Sequence, residues 1–199
     1  MDATIVGWGH TAFGVHSRMT FEDLVLEAAA EALDHAGVEP GDVDAVWLGH
    51  FNSGLVPDAF ASSMALGLDP SMRFTPATRV ENACASGSAA IYAARDAIAA
   101  GRVGTALVIG AEKMTEQDTK GVTQALSGAS YQAEEAGLSF PQIFARFAQA
   151  YFQAHGDQSA ALARIAAKNH AAAMANPLAH LRKEMSFEAC NTVSDKNPV

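Results

Sequence analysis

At 199 residues, 49% of them hydrophobic and 18% charged, the chain has the apolar content for one globular domain with a substantial core, or one domain plus a large insertion. A formal net charge of -9 offers no basic patch of the kind that nucleic acid or an anionic membrane surface requires. There is no apolar run of about eighteen residues and no basic segment leading into an apolar stretch with a cleavage site, so neither a transmembrane helix nor a signal peptide is expected and the cytoplasm is the default location.

In chain order, Thr4 to Gly9 reads as a short strand-like run ending in glycine. Gly7, Gly9 and Gly14 do not have the G-x-G-x-x-G spacing of a dinucleotide loop. Thr20 with Asp23 three residues on predicts a capped helix start, and Phe21, Leu24, Val25, Ala28, Ala29, Ala32 and Leu33 recur at helical spacing until Gly37 and Pro40 end the element. Asp44 to Gly49 is predicted as a strand with His50 just past its end, and Pro57 to Leu68 as a short helix. A strand at Ala77 to Glu81 then gives way to a helix from Cys84 to about Ala100, and Thr105 to Gly110 is the next strand. Strands alternating with helices in this way indicate βαβ units and a mostly parallel sheet, whose ligands bind beyond the carboxyl ends of the strands. His10, His50, Cys84 and the Ala111-Glu112 pair all follow predicted strand ends and are expected along that edge.

After Met114 the pattern breaks into an irregular excursion, Glu116 to Ser139, with at most a short helix. Pro141 opens a helix to about His155, with Ile143, Phe144, Phe147, Ala148, Tyr151 and Phe152 on one face. A second helix, Ser159 to Ala175, is expected to turn Leu162, Ile165, Ala166 and His170 inward. Only short pieces and a polar tail are expected from Leu178 to Val199. The division expected is therefore 1–114, an α/β core, and 115–199, a mostly helical excursion.

Cys84 stands where a strand hands over to a helix, and the unpaired N–H groups of a helix start favour negative charge. Two readings are open: a small buried hydrophobe among alanines, or a nucleophile. Ser86, Gly87 and Ser88 keep the first turn small, and Gly110 closes the next strand, which argues that something passes close to that turn. A helix start is worth about 0.3–1 kcal/mol to an adjacent anion, too little to convert an ordinary thiol, which titrates near 8.5, into thiolate at neutral pH. A base is needed as well, with N–H donors for a tetrahedral oxyanion. Of the seven histidines, His10 and His50 lie on the expected edge; His35, His155 and His180 lie near helix ends; His16 and His170 have no neighbouring motif. Cys84 and Cys190 are too far apart in sequence for a disulfide framework or a C-x-x-C knuckle, so no metal site is expected.

The run N-A-C-A-S-G-S-A-A-I-Y-A-A, followed by A-L-V-I-G-A-E-K-M, resembles the thiolases, in particular the branch similar to the sterol carrier protein x thiolase and the acetyl-CoA acetyltransferases. The opening I-V-G-W-G-H-T-A-F-G and the later K-N-H-A-A-A-M-A-N-P-L-A-H-L-R-K-E are similar to the same branch, so the resemblance runs from about Thr4 to Pro198. It implies the amino-terminal half of a thiolase-like α/β fold: a βαβαβαβ, mixed but mostly parallel sheet with helices on both faces, plus a largely helical loop domain. It also implies that Cys84 is the catalytic nucleophile, accepting the acyl group of an acyl-CoA for Claisen-type carbon–carbon bond cleavage or formation in lipid metabolism. Coenzyme A thioester is then a substrate, with no prosthetic group or metal bound. The chain is expected in a homodimer or larger homo-oligomer, with the Ala77 to Glu81 strand at the dimer contact, or with a complementing carboxy-terminal half. The family's histidine-bearing motifs and second cysteine belong to that second half and are not found here, and the last strand of the first half would follow Val199. A half-thiolase serving as a non-catalytic assembly subunit is the alternative, and a third reading makes His50 or His10 the base.

Overall fold

The computed structural model describes residues 3–193, so the polar tail at 194–199 and any strand beyond it lie outside the described residues. The chain forms two compact units, one built on Val15–Ala125 with the amino-terminal run up to Thr11, the other on the chain from Leu126 with Ala12–Gly14.

In the first unit, α1 (Phe21–Ala36) begins as the sequence predicts. Thr20 and Asp23 form a reciprocal capping box, and Gly37 ends the helix in the left-handed region. The Thr20 backbone N–H and then its hydroxyl bond the Asp23 carboxylate and hold it below the usual carboxylate range. Phe21, Val25, Ala29 and Leu33, one stripe of the helix, are buried.

Strands β1 (Ala45–Gly49), β2 (Ala77–Val80) and β3 (Ala106–Gly110) form a wholly parallel sheet in the order β2-β1-β3. Val46 lies opposite Ala77 on one side and Leu107 on the other. The β1-to-β2 connection carries a 3₁₀ helix, Ala61–Leu68, on the α1 side of the sheet, and α2 (Ser86–Ala99) carries β2 back across β1 to β3 on the other side. Crossovers running in opposite directions across a parallel sheet keep the same hand only by using opposite faces. The side chains follow the pleat. Val46, Leu48, Leu107 and Ile109 join Phe21, Val25, Ala61, Ala65 and Met72 in the core on the α1 side. Ala90, Ala94 and Ala97 of α2 are buried on the opposite side, where small residues let the helix sit close. The Asp44 carboxylate accepts the N–H groups of Gly104 (2.7 Å) and Thr105 (2.9 Å), joining the starts of β1 and β3. Those bonds, Thr105 first, depress its proton affinity.

The amino-terminal run is not a strand. Both edges of β1 are already occupied by β2 and β3, and the run lies instead along α1. The N–H groups of Trp8 and His10 are bonded by the side chains of His35 and Glu31, and a Cβ at Gly7 or Gly9 would collide with the carbonyl oxygens of Ala32 and Ala28. Strand propensity describes fit to a pleated, half-buried surface, and here the run packs on a helix instead.

The excursion after Met114 holds more helix than its composition suggests: α3 (Thr119–Ser127) and a single turn, α4 (Gln132–Glu135). In the second unit, α5 (Phe140–His155) starts with a Ser139–Gln142 capping box, and α6 (Ser159–Ala175) has the bounds expected. Their orientations differ from expectation. Ile143 and Ala163 are buried, whereas Phe144, Phe147, Tyr151, Leu162 and Ile165 are exposed. Helical spacing marks an apolar stripe but does not supply the element that covers it. A last turn, α7 (Phe187–Cys190), packs on α6. No helix among the described residues is long and apolar enough to cross a membrane.

Candidate active site

The connections leaving β1 and β2 go to opposite faces of the sheet, an arrangement in which open α/β sheets bind ligands at the carboxyl ends of the strands. Cys84 sits there. It occupies a 3₁₀ turn, Ala83–Ala85, between β2 and α2, and it is exposed, which sets aside the buried-hydrophobe reading.

The expectation that Cys84 opens α2 is corrected by two residues. Ala83 has φ 46°, which breaks continuity with the helix, and α2 begins at Ser86. The Ser86 hydroxyl, itself buried, closes the turn by accepting from Asn82 N–H (2.8 Å) and donating to Ala83 C=O (2.7 Å). Ala85 N–H donates to Asn82 C=O (2.9 Å), and the Glu81 carboxylate takes Ala83 N–H. The helix cap, Ala85, offers no side-chain acceptor, so the first turn of α2 keeps donors beside Cys84.

What passes close to that turn is β1. A Cβ on Gly49 would lie 2.6 Å from the Ser86 carbonyl oxygen and 2.8 Å from Gly87 Cα. Glycine at the end of β1 therefore sets how near the first turn of α2 approaches the sheet.

His50 continues the opposite pleat, with Val46 and Leu48. Its ring is fully buried against Phe21 of α1, with centroids 4.5 Å apart, so it faces the α1 core while Cys84 belongs to the α2 side. Nδ1 lies 3.0 Å from the Ala111 carbonyl oxygen and 3.3 Å from Glu112 Oε1, and Nε2 is buried with no hydrogen-bond partner among the described residues. Leaving such a group unpaired costs about 1–3 kcal/mol. Glu112 also accepts the N–H groups of Phe51 (2.9 Å) and Asn52 (3.2 Å). These bonds hold a loop in which Asn52, Ser53 and Gly54 all have positive φ. His10 follows no strand, and its N–H donates to Glu31 of α1. The roles of Ser86 and Glu112 were not readable as chemistry. The one available signal was a hydroxyl two residues after the cysteine; for Glu112 it was only its place past a strand end. No group of three or more His, Cys, Asp or Glu among the described residues is gathered to hold a metal ion.

Comparison with known proteins agrees with this architecture. The family model of the thiolase N-terminal domain matches residues 3–196. An acetyl-CoA acetyltransferase of Methanothermobacter thermautotrophicus is 35% identical over 193 residues, covering 94% of this chain and 49% of that protein. One from Methanocaldococcus jannaschii is 40% identical over 161 residues, covering 78% of this chain and 40% of the relative. Among solved structures, human mitochondrial 3-ketoacyl-CoA thiolase in complex with CoA superposes with a TM-score of 0.71 at 19% identity, over 94% of this chain and 56% of that one. The chain thus spans about half the length of the curated relatives it matches. With its parallel sheet, its helices on both faces and a match along almost its whole length, the chain belongs to the thiolase family, as a thiolase N-terminal domain.

Proposed function

We propose that the chain is the nucleophile-bearing half of a thiolase-type acyltransferase and that Cys84 is its catalytic residue. The Cys84 sulfur attacks the thioester carbonyl of an acyl-CoA, the carbon–sulfur bond to coenzyme A breaks, and the thiol proton leaves with the coenzyme A sulfur. The resulting acyl-Cys84 then enters Claisen-type exchange, which makes or breaks a carbon–carbon bond. The observation that carries this reading is the exposed Cys84 in a turn fixed by Ser86 at the carboxyl edge of the sheet. The naming of the archaeal relatives as acetyl-CoA acetyltransferases supports acyl-CoA as substrate class. The base for the exchange belongs to a carboxy-terminal half, joined or separate, because His50 is committed to the core on the other side of β1. In this reading residues 1–114 carry the chemistry and 115–199 form the loop domain.

The test is mass spectrometry of the chain after incubation with acetyl-CoA, followed by cleavage of a 3-ketoacyl-CoA with and without a candidate second half. Acetyl on Cys84, and turnover only when the second half is added, are expected. Full turnover by the chain alone would overturn the half-site reading. The second reading, an assembly subunit without catalysis, is favoured by the exposed Phe144, Phe147 and Tyr151 on one helix, and absence of any acyl-Cys84 even in the assembled complex would select it.

A further inference from the structure

Three strand ends are stitched together around one residue. His50 N–H donates to the Val80 carbonyl of β2 (3.1 Å), and the Gly49 carbonyl accepts from Ala111 N–H beyond β3 (3.1 Å). The His50 ring reaches Ala111 C=O and Glu112, and Glu112 returns to the backbone of Phe51 and Asn52. Val80 leads directly into the Cys84 turn, and Gly49 is the surface on which Ser86 and Gly87 rest. An apolar side chain at position 50 would fill the same core without leaving a buried nitrogen unpaired, so the core alone does not account for a histidine there.

We propose that His50 and Glu112 are positioning residues for Cys84: as a pair they lock the end of β1, and through Gly49 and Val80 they set the turn that presents the thiol. Neither touches the reacting atoms. The proposal deepens the acyl-Cys84 reading and rests on it for its significance, but its first readout does not depend on it. The coupling runs through backbone geometry, and misplacement of a reactive group by about 1 Å is able to cost on the order of 100-fold in rate.

The experiment measures the rate of Cys84 alkylation by iodoacetamide at fixed pH, and of Cys84 acetylation by acetyl-CoA, in His50→Ala, Glu112→Ala, the double variant and Glu112→Gln, each checked for folding by thermal melting. Both single alanine variants are expected to slow both reactions by roughly tenfold, a fraction of the full misplacement effect. The double variant should be no slower than the slower single, since the residues act as one unit. Glu112→Gln, which keeps an acceptor oxygen for the Phe51 and Asn52 N–H groups, should recover most of the rate. Folded alanine variants with rates unchanged within about twofold, or additive losses in the double variant, would overturn the proposal. Should Glu112→Ala fail to fold, His50→Ala and Glu112→Gln decide it, since unchanged alkylation in the folded His50→Ala protein is enough to overturn it. If wild-type Cys84 is alkylated normally but never acetylated, even with a second half present, the acyltransferase reading fails while the coupling remains measurable.

Discussion

A methyl group on Gly49 has nowhere to go, because the Ser86 carbonyl oxygen lies 2.6 Å from where it would sit. Gly49→Ala is therefore expected to destabilise the chain by about 1–3 kcal/mol, read as a lower urea midpoint at unchanged slope. Cys84→Ala should behave oppositely. The side chain is exposed, so stability should change by less than about 0.5 kcal/mol, while acetyl incorporation from acetyl-CoA disappears. At this scale Cys84 is singled out as a candidate because it stands in a motif of contiguous residues. The burial of His50 is not readable in that way, because it depends on Phe21, a residue of another element, and its partner Glu112 follows a different strand.

Among the elements, those whose signals are local came out within a residue or two. The Thr20–Asp23 cap, the Gly37 stop, the three strands and the bounds of α6 all follow from propensity, capping and period. Asp44 shows how elements are tied together and yields a prediction about acid. Its folded carboxyl holds its proton less tightly than the unfolded one, so the stabilisation is complete above the unfolded value, near 4, and is lost as pH falls through the lower folded value. Asp44→Asn should thus flatten the acid side of the stability-against-pH curve, with the difference from wild type largest near neutrality and vanishing at the acid end. Denaturant midpoints across that range check it. The amino-terminal run failed as a strand for a reason its residues cannot express: its N–H groups are taken by His35 and Glu31 of α1 and not by another strand.

For the whole molecule, β2 is an edge strand among the described residues, with Thr78 and Arg79 exposed, and we propose it as the strand through which a homodimer would form. Val46 N–H donates to Pro76 C=O and His50 N–H to Val80 C=O, so the even-numbered residues of β2 carry the ladder to β1, and Arg79 turns its N–H outward. Arg79→Pro should then abolish dimerisation in sedimentation velocity while leaving the sheet intact, since proline there removes only an outward donor. A wild-type chain that sediments as a monomer would count against the contact. By itself the sequence determined the helix and strand segments of the core and singled out Cys84, because capping, hydrophobic period and a contiguous motif are written in neighbouring residues. Only the tertiary structure decided that the amino-terminal run lies along α1, that the aromatic stripe of α5 is exposed, and that His50 is buried beside Phe21 with Glu112 at its ring. Each of those depends on which distant element occupies a surface, an edge or a hydrogen bond, and the intervening sequence does not record it.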